Sequence, residues 1–202
     1  MFPSPNLPAE FMAGKYVWPV SEEFLLVLSG PPGSGKTTVG ALVASRFDPS
    51  VALQSDWFWA CIVNGLIPPW NVEAEQQNQA MIRASLACAA RMANAGYATV
   101  LEGIFGPWHF DLMREELAGV KAPISYLVLR PSVEDCLVRA LDRRRDPQHA
   151  GALIAEEPIR HMYSKFQDLG TFEGHVLDSS TLTARETADH VCSSFRNFSI
   201  LD

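Results

Sequence analysis

Between residues 24 and 197 the chain switches repeatedly between short, mostly apolar runs and stretches whose apolar positions recur at helical spacing. Phe24-Leu25-Leu26-Val27-Leu28 is apolar at every position, the pattern of a strand buried on both faces. Residues 36–46 follow as a helix with Val39, Leu42 and Val43 on one face, then Val51-Ala52-Leu53-Gln54 as a short strand ending at Ser55-Asp56. Residues 73–95 predict a long helix with an apolar stripe of Ile82, Leu86, Ala89, Ala90 and Ala93 and with Gly96 at C′. Ala98-Thr99-Val100-Leu101 reads as a third strand closed by Glu102-Gly103, and residues 108–117 as a helix with Pro107 at its start. Residues 124–129 form a fourth strand, after which Ser132 caps a helix that turns Val133, Cys136, Leu137, Ala140 and Leu141 inward. Pro158 sits in the first turn of the next helix, where Ile159, Met162, Phe166 and Leu169 share a face. His175-Val176-Leu177 is a fifth strand. Thr183-Ala184-Arg185-Glu186 is a capping box for a last helix burying Ala188, Val191, Cys192 and Phe195. Five strands alternating with helices predict an α/β fold with a parallel sheet covered on both faces.

The loop after the first strand carries the chemistry. Gly30-Pro31-Pro32-Gly33-Ser34-Gly35-Lys36-Thr37-Thr38 fits the pattern G-x-x-x-x-G-K-[ST] and stands between a strand and a helix, the context that the pattern requires. Its glycines let backbone N–H groups turn inward as an anion nest, and the helix beginning near Gly35 adds its positive end. Gly30, Gly33, Ser34, Gly35, Lys36, Thr37 and Thr38 are the expected triphosphate contacts, with Lys36 on the β- and γ-phosphates and the Thr37 hydroxyl on Mg²⁺. Ligands of such sheets bind beyond the carboxyl ends of the strands, where Asp56 and Glu102 also fall.

Composition narrows the class. One domain is expected over 202 residues, with 1–20 as an extended Pro-rich arm, 21–202 as the folded domain, and no internal repeat. A net charge of −7 argues against a nucleic-acid substrate, since neutralising phosphates needs a basic surface. Cys61, Cys88, Cys136 and Cys192 form no metal-like pair and are expected to be buried, reduced thiols. The first 20 residues lack a basic segment and a continuous apolar core, and no apolar run reaches 18 residues. No membrane partner is expected, and a reducing cytoplasm fits. Monomer and homodimer are both open.

No Asn-Lys-x-Asp guanine-reading motif and no Leu-Ser-Gly-Gly-Gln segment is present, which sets aside GTPase switches and leaves little room for motor machinery. Leu137-Val138-Arg139-Ala140-Leu141-Asp142-Arg143 is similar to the L-x-x-R-x-x-x-R element that opens the lid of nucleoside-monophosphate-kinase-like P-loop kinases. Arg160-His161-Met162-Tyr163 is similar to their R-x-x-Y segment. With the Gly30–Thr38 loop, Asp56 and Glu102-Gly103, the chain resembles that group over about residues 24–195, closest to small phosphotransferases similar to chloramphenicol phosphotransferase and the zeta-toxin kinases. The resemblance implies a three-layer P-loop NTPase fold with a five-stranded parallel sheet and a small lid at about 142–156. It also implies ATP and Mg²⁺ as cofactors and a small-molecule alcohol acceptor, and it places Arg139 near the adenine and Arg143 at the phosphates.

Three roles are expected to be catalytic: Lys36 and Arg143 in neutralising charge, and Asp56 as the base that takes the acceptor's proton. Asp56 could instead hold Mg²⁺ through water or simply cap the helix near Trp57. Glu102, expected with Thr37 at the metal, could also hydrogen-bond the acceptor or pair with an arginine. Arg139 and Arg143, four apart on one helical face, have the plain alternative of a solvated basic helix end, extended by Arg144 and Arg145. Arg160 divides between ligand and surface. Trp57, Phe58, Trp59, Trp70, Phe105, Trp108 and His109 flank the two acids as candidate walls of the acceptor pocket. Between 56 and 113 only Arg83 and Arg91 are arginines, which favours a neutral, flat or partly apolar alcohol: antibiotic, nucleoside or sugar. A nucleotide or nucleoside kinase and an ATP-binding regulatory module are the competing readings.

Overall fold

Every residue of β1 (Phe24–Ser29) is buried, as its unbroken apolar run requires of a central strand. The computed structural model of the chain describes residues 23–142 and 156–200. The expected arm at 1–20 and the arginines at 143, 144 and 145 lie outside the described residues, as does the 142–156 lid apart from its bounding Asp142 and Glu156. After β1 come α1 (Lys36–Ala44), β2 (Ser50–Gln54), α2 (Asp56–Ala60), α3 (Glu75–Asn94) and β3 (Ala98–Glu102). Then follow α4 (Phe110–Leu117), β4 (Ile124–Leu129), α5 (Val133–Asp142), α6 (Glu156–Ser164), β5 (Val176–Leu177) and α7 (Ala184–Ser194).

The five strands form one sheet in the order β2-β3-β1-β4-β5, and every pairing is parallel. Side chains of β1 alternate between two cores. Leu25 and Val27 join Ile82, Leu86, Phe105, Met113, Leu117 and Phe166 on one face. Phe24, Leu26 and Leu28 join Val39, Val43, Ala188, Val191 and Phe195 on the other. Helices α3 and α4 thus cover one side and α1 and α7 the other, the three layers expected. A small third core of Leu137, Ala140 and Ile159 joins α5 to α6. No described helix is long and apolar enough to cross a membrane.

Several boundaries differ from expectation for local reasons. The first helix stops at Ala44 rather than residue 46, with Ser45 at its C-cap, its N–H bonded to the Ala41 carbonyl. Val72–Ala74 and Pro107–His109 are single 3₁₀ turns preceding α3 and α4, the tighter winding common at helix starts. His175 closes a 3₁₀ helix instead of opening β5. At the end of α3 the expected C′ glycine is confirmed: Gly96 has φ 91°, its N–H bonds the Ala93 carbonyl, and Tyr97 N–H bonds that of Met92. The Thr183–Glu186 capping box is present in both directions. Of the cysteines expected to be buried, only Cys136 is. Cys61 is exposed, while Cys88 and Cys192 are half-buried, and all four are free.

Candidate functional site

β1 lies between β3 and β4, and the chain leaves it toward β2 before returning to β4. The loop after β1 therefore opens at the point where the strand order reverses, where such sheets bind ligands. In that loop Gly33 and Gly35 take left-handed φ values of 80° and 92°. Gly33 is required by space as well: a Cβ there would lie 2.1 Å from the Cys136 carbonyl oxygen, so the loop rests directly on the backbone of α5. At Gly35 the space is open and the requirement is φ alone. Gly35 is the N-cap of α1 and supplies no side-chain cap, which leaves the first-turn N–H groups facing the loop as an anion site. Ser34 and Lys36 are buried. The Lys36 ammonium folds back across the loop, donating to the Pro31 carbonyl at 2.9 Å and reaching Ser34 Oγ at 3.5 Å.

Thr37 and Glu102 come together as expected. Thr37 Oγ1 donates to Glu102 Oε1 at 2.8 Å, and Glu102 is only 8% exposed at the end of β3. A hydroxyl and a carboxylate are hard oxygen donors, the type Mg²⁺ takes, and one or two such protein ligands suffice where phosphate oxygens and water complete the shell. The donor set fits the ion. Among the described residues no group of three or more His, Cys, Asp and Glu could hold a metal by itself.

Asp56 stands beside this pair by backbone register. Gln54 faces Glu102 across β2 and β3, and the Ser55 N–H donates to the Glu102 carbonyl at 2.9 Å. Asp56 is the first residue of α2 and not its cap, since Ser55 occupies that position. Its carboxylate is exposed and makes no hydrogen bond or ion pair among the described residues.

On the other side of the loop lies a cleft of about 430 Å³, lined by Gly33, Gly35, Thr38, Arg139, Ser179 and Thr187 among others. Arg139 is half-buried on its wall, and Arg143 lies outside the described residues. Ser179 is a residue the sequence reading passed over. It is 2% exposed, and its Oγ has no hydrogen-bond partner among the described residues. The rule that ligands gather beyond strand ends points to it once it is applied to β5 as well as to the first three strands.

The candidate aromatic wall divides. Phe105 is a core residue, 1% exposed, and its backbone is fixed from two sides. Ser29 Oγ donates to the Phe105 carbonyl at 2.7 Å and accepts from its N–H at 3.0 Å, while the Tyr126 hydroxyl donates to the same carbonyl at 2.7 Å. Burial pushes the Tyr126 phenol well above its usual range, so it stays a protonated donor. Trp57, Trp70 and Trp108 are exposed, and Phe58 and Trp59 half-buried. Trp108 covers Gly106 and meets Phe166 edge-on at 5.4 Å. His109 is pushed down to about 4, chiefly by burial, against the upward pull of Glu75 and the Ile104 backbone. Its Nδ1 is buried without a partner among the described residues. Arg160 pairs with Glu156 at 2.9 Å on an exposed face, and the Tyr163 hydroxyl bonds the Pro131 carbonyl at 2.8 Å. Neither side chain of the R-x-x-Y segment is committed to the loop.

Solved structures share this architecture. A sugar kinase from Janibacter sp. HTCC2649 is 18% identical, with 87% of this chain and 95% of that one covered at a TM-score of 0.59. The tunicamycin resistance protein of Deinococcus radiodurans is 16% identical over 84% and 94%, at 0.59. Shikimate kinase from Acinetobacter baumannii, in complex with shikimate, is 22% identical over 83% and 89%, at 0.51. No curated protein sequence matches the chain. A glycine cradle on β1, a buried lysine at the head of α1 and a threonine–glutamate pair at the end of β3 all fall within residues 25–169. That is the span matched by the AAA domain model, and the chain belongs to this AAA domain family.

Proposed function

We propose that the protein is an ATP-dependent O-phosphotransferase, moving the γ-phosphoryl group of Mg-ATP to a hydroxyl of a small molecule such as an antibiotic-like compound, a nucleoside or a sugar alcohol. The carrying observation is the convergence at three adjacent strand ends of a glycine cradle with Lys36, the Thr37–Glu102 pair and an unpaired Asp56. That the sugar kinase and shikimate kinase share the fold supports the reading.

In this reading the N–H groups of Gly33 to Thr38 and the Lys36 ammonium bind the triphosphate oxygens, and Lys36 exchanges its Pro31 carbonyl for phosphate. Thr37 and Glu102 would hold Mg²⁺, which when bound neutralises charge on the transferring group. The cleft beside Arg139 takes the nucleoside end, and the family resemblance assigns Arg143 the task of neutralising phosphate charge. Asp56, exposed at the head of α2, accepts the proton that the acceptor hydroxyl loses as its oxygen bonds to the γ-phosphorus, while the bond from that phosphorus to the β,γ-bridging oxygen breaks and ADP leaves. Phosphoryl transfer asks mainly for position and charge, and each residue named supplies one or the other.

Asp56→Asn keeps the shape of the site and removes the base. Expected is Mg-ATP binding within about twofold of wild type by calorimetry and a fall in kcat of about 10²–10⁴-fold, the usual worth of a general base. Wild-type turnover by this variant would remove Asp56 from the role. Absence of Mg-ATP binding by the wild-type protein would remove the reading altogether.

A further inference from the structure

Between Asp56 and α3 the chain exposes a concentration of apolar surface. Trp57 is 47% and Trp70 62% exposed, and Val63, Leu66 and Val72 are exposed with them. This stretch is held in place. The Gln77 side-chain amide grips both backbone groups of Ile67, accepting from its N–H at 2.9 Å and donating to its carbonyl at 2.7 Å. Asn78, next along α3, donates to the Pro69 carbonyl at 2.7 Å and accepts from Trp59 Nε1 at 3.1 Å. Two neighbouring amides thus fasten both α2 and the 67–69 stretch to the head of α3. Fixed apolar groups facing water are the mark of a binding surface.

Its charge states what it binds. No lysine or arginine occurs from 57 to 82, whereas Glu73 and Glu75 do. Arg83 is held by Glu115 and Glu116, at 2.7 Å each, and Arg114 by Asp111 at 2.9 Å. Among the described residues, a carboxylate or phosphate on the acceptor would meet acid along this stretch, with Arg83 and Arg114 already paired, while the charge of Lys165 reaches His109, outside the 57–72 stretch. We infer that residues 57–72 are the platform for the acceptor, and that the acceptor is an uncharged alcohol with an aromatic or other apolar ring body that lies on Trp57 and Trp70. This rests on the phosphotransferase reading and narrows it.

The test is a panel in three groups, aryl diols and aryl glucosides, then glycerol and glucose, then shikimate and gluconate. Each is assayed with Mg-ATP by product mass, and each is titrated by tryptophan fluorescence into Asp56→Asn. The uncharged ring-bearing group is expected to give the highest kcat/KM. Trp70→Ala, at an exposed position, is expected to raise its KM about tenfold with kcat and the KM for ATP within about twofold. Gln77→Ala is expected to move acceptor KM in the same direction by releasing Ile67. Preference for shikimate or gluconate, or an unchanged acceptor KM in Trp70→Ala, overturns the platform. If no alcohol is phosphorylated, the phosphotransferase reading fails, and fluorescence decides the platform separately. Quenching by the ring-bearing group that Trp70→Ala abolishes sustains it; no quenching, or equal quenching by the anionic group, ends it.

Discussion

At residue scale the site is governed by contacts too short to tolerate substitution. At Gly33 a methyl group meets the carbonyl of Cys136, and φ is left-handed as well. Gly33→Ala is expected to cost about 1–3 kcal/mol of stability, from strained backbone that neighbouring structure must absorb, and to weaken Mg-ATP binding by about tenfold or more. Thermal melting and calorimetry check the two separately; wild-type values for both would contradict the packing described. The loop, Lys36, Thr37, Glu102 and Asp56 were legible in the sequence because their chemistry is local or tied to a strand end. The sequence marks His109 only as a flanking group and Ser179 not at all. A buried polar atom without a partner is produced by what packs around it, and no residue spacing records that. The Phe105 ring misled for the same reason: an aromatic near an active loop reads alike whether it lines a pocket or fills a core.

At the scale of elements, the strands are legible because β1, β3 and β4 are wholly buried, which gives an unbroken apolar run in β1 and mostly apolar runs in β3 and β4. β5 is two residues long and half-buried at the sheet edge, so its start was misplaced by one. The platform at 57–72 has no periodicity to read, since amide side chains from α3 organise it. The capping box is the strongest local signal at a helix start. Thr183 Oγ1 accepts from the Glu186 N–H at 3.2 Å, and Glu186 Oε2 accepts from the Thr183 N–H at 2.8 Å. Thr183→Ala is expected to lower stability by about 1 kcal/mol, read as a reduced denaturation midpoint at unchanged m-value. No shift in midpoint would mean that α7 is held by its packing on α1 alone.

For the whole molecule, four described groups have folded-state values below the ordinary one, His109, Glu173, Asp178 and Glu186, and the first two are lowered furthest. His109 is lowered from 6.5 to about 4, so the unfolded chain takes up its proton first as pH falls. Stability is full above about 6.5 and declines down to about 4, by up to about 3 kcal/mol. Glu173 is lowered from 4.5 to about 2, first by its hydrogen bonds from Arg130, which clamp it at 2.8 and 2.9 Å. Its contribution is present above about 4.5 and fades toward pH 2. Urea unfolding across pH 4–7 is expected to lose its slope in His109→Gln and to keep it in Glu173→Gln. A slope unchanged in His109→Gln would place the upper transition elsewhere.

The bare meeting of Gly33 with the Cys136 carbonyl has a mechanical consequence. With no side chain between them to compress or rotate, the phosphate loop and α5 act as one welded joint, close to undeformable at the ångström scale. Arg139, one turn further along that helix, is accordingly part of the frame. Its position relative to the cradle is settled when the chain folds, before any nucleotide arrives.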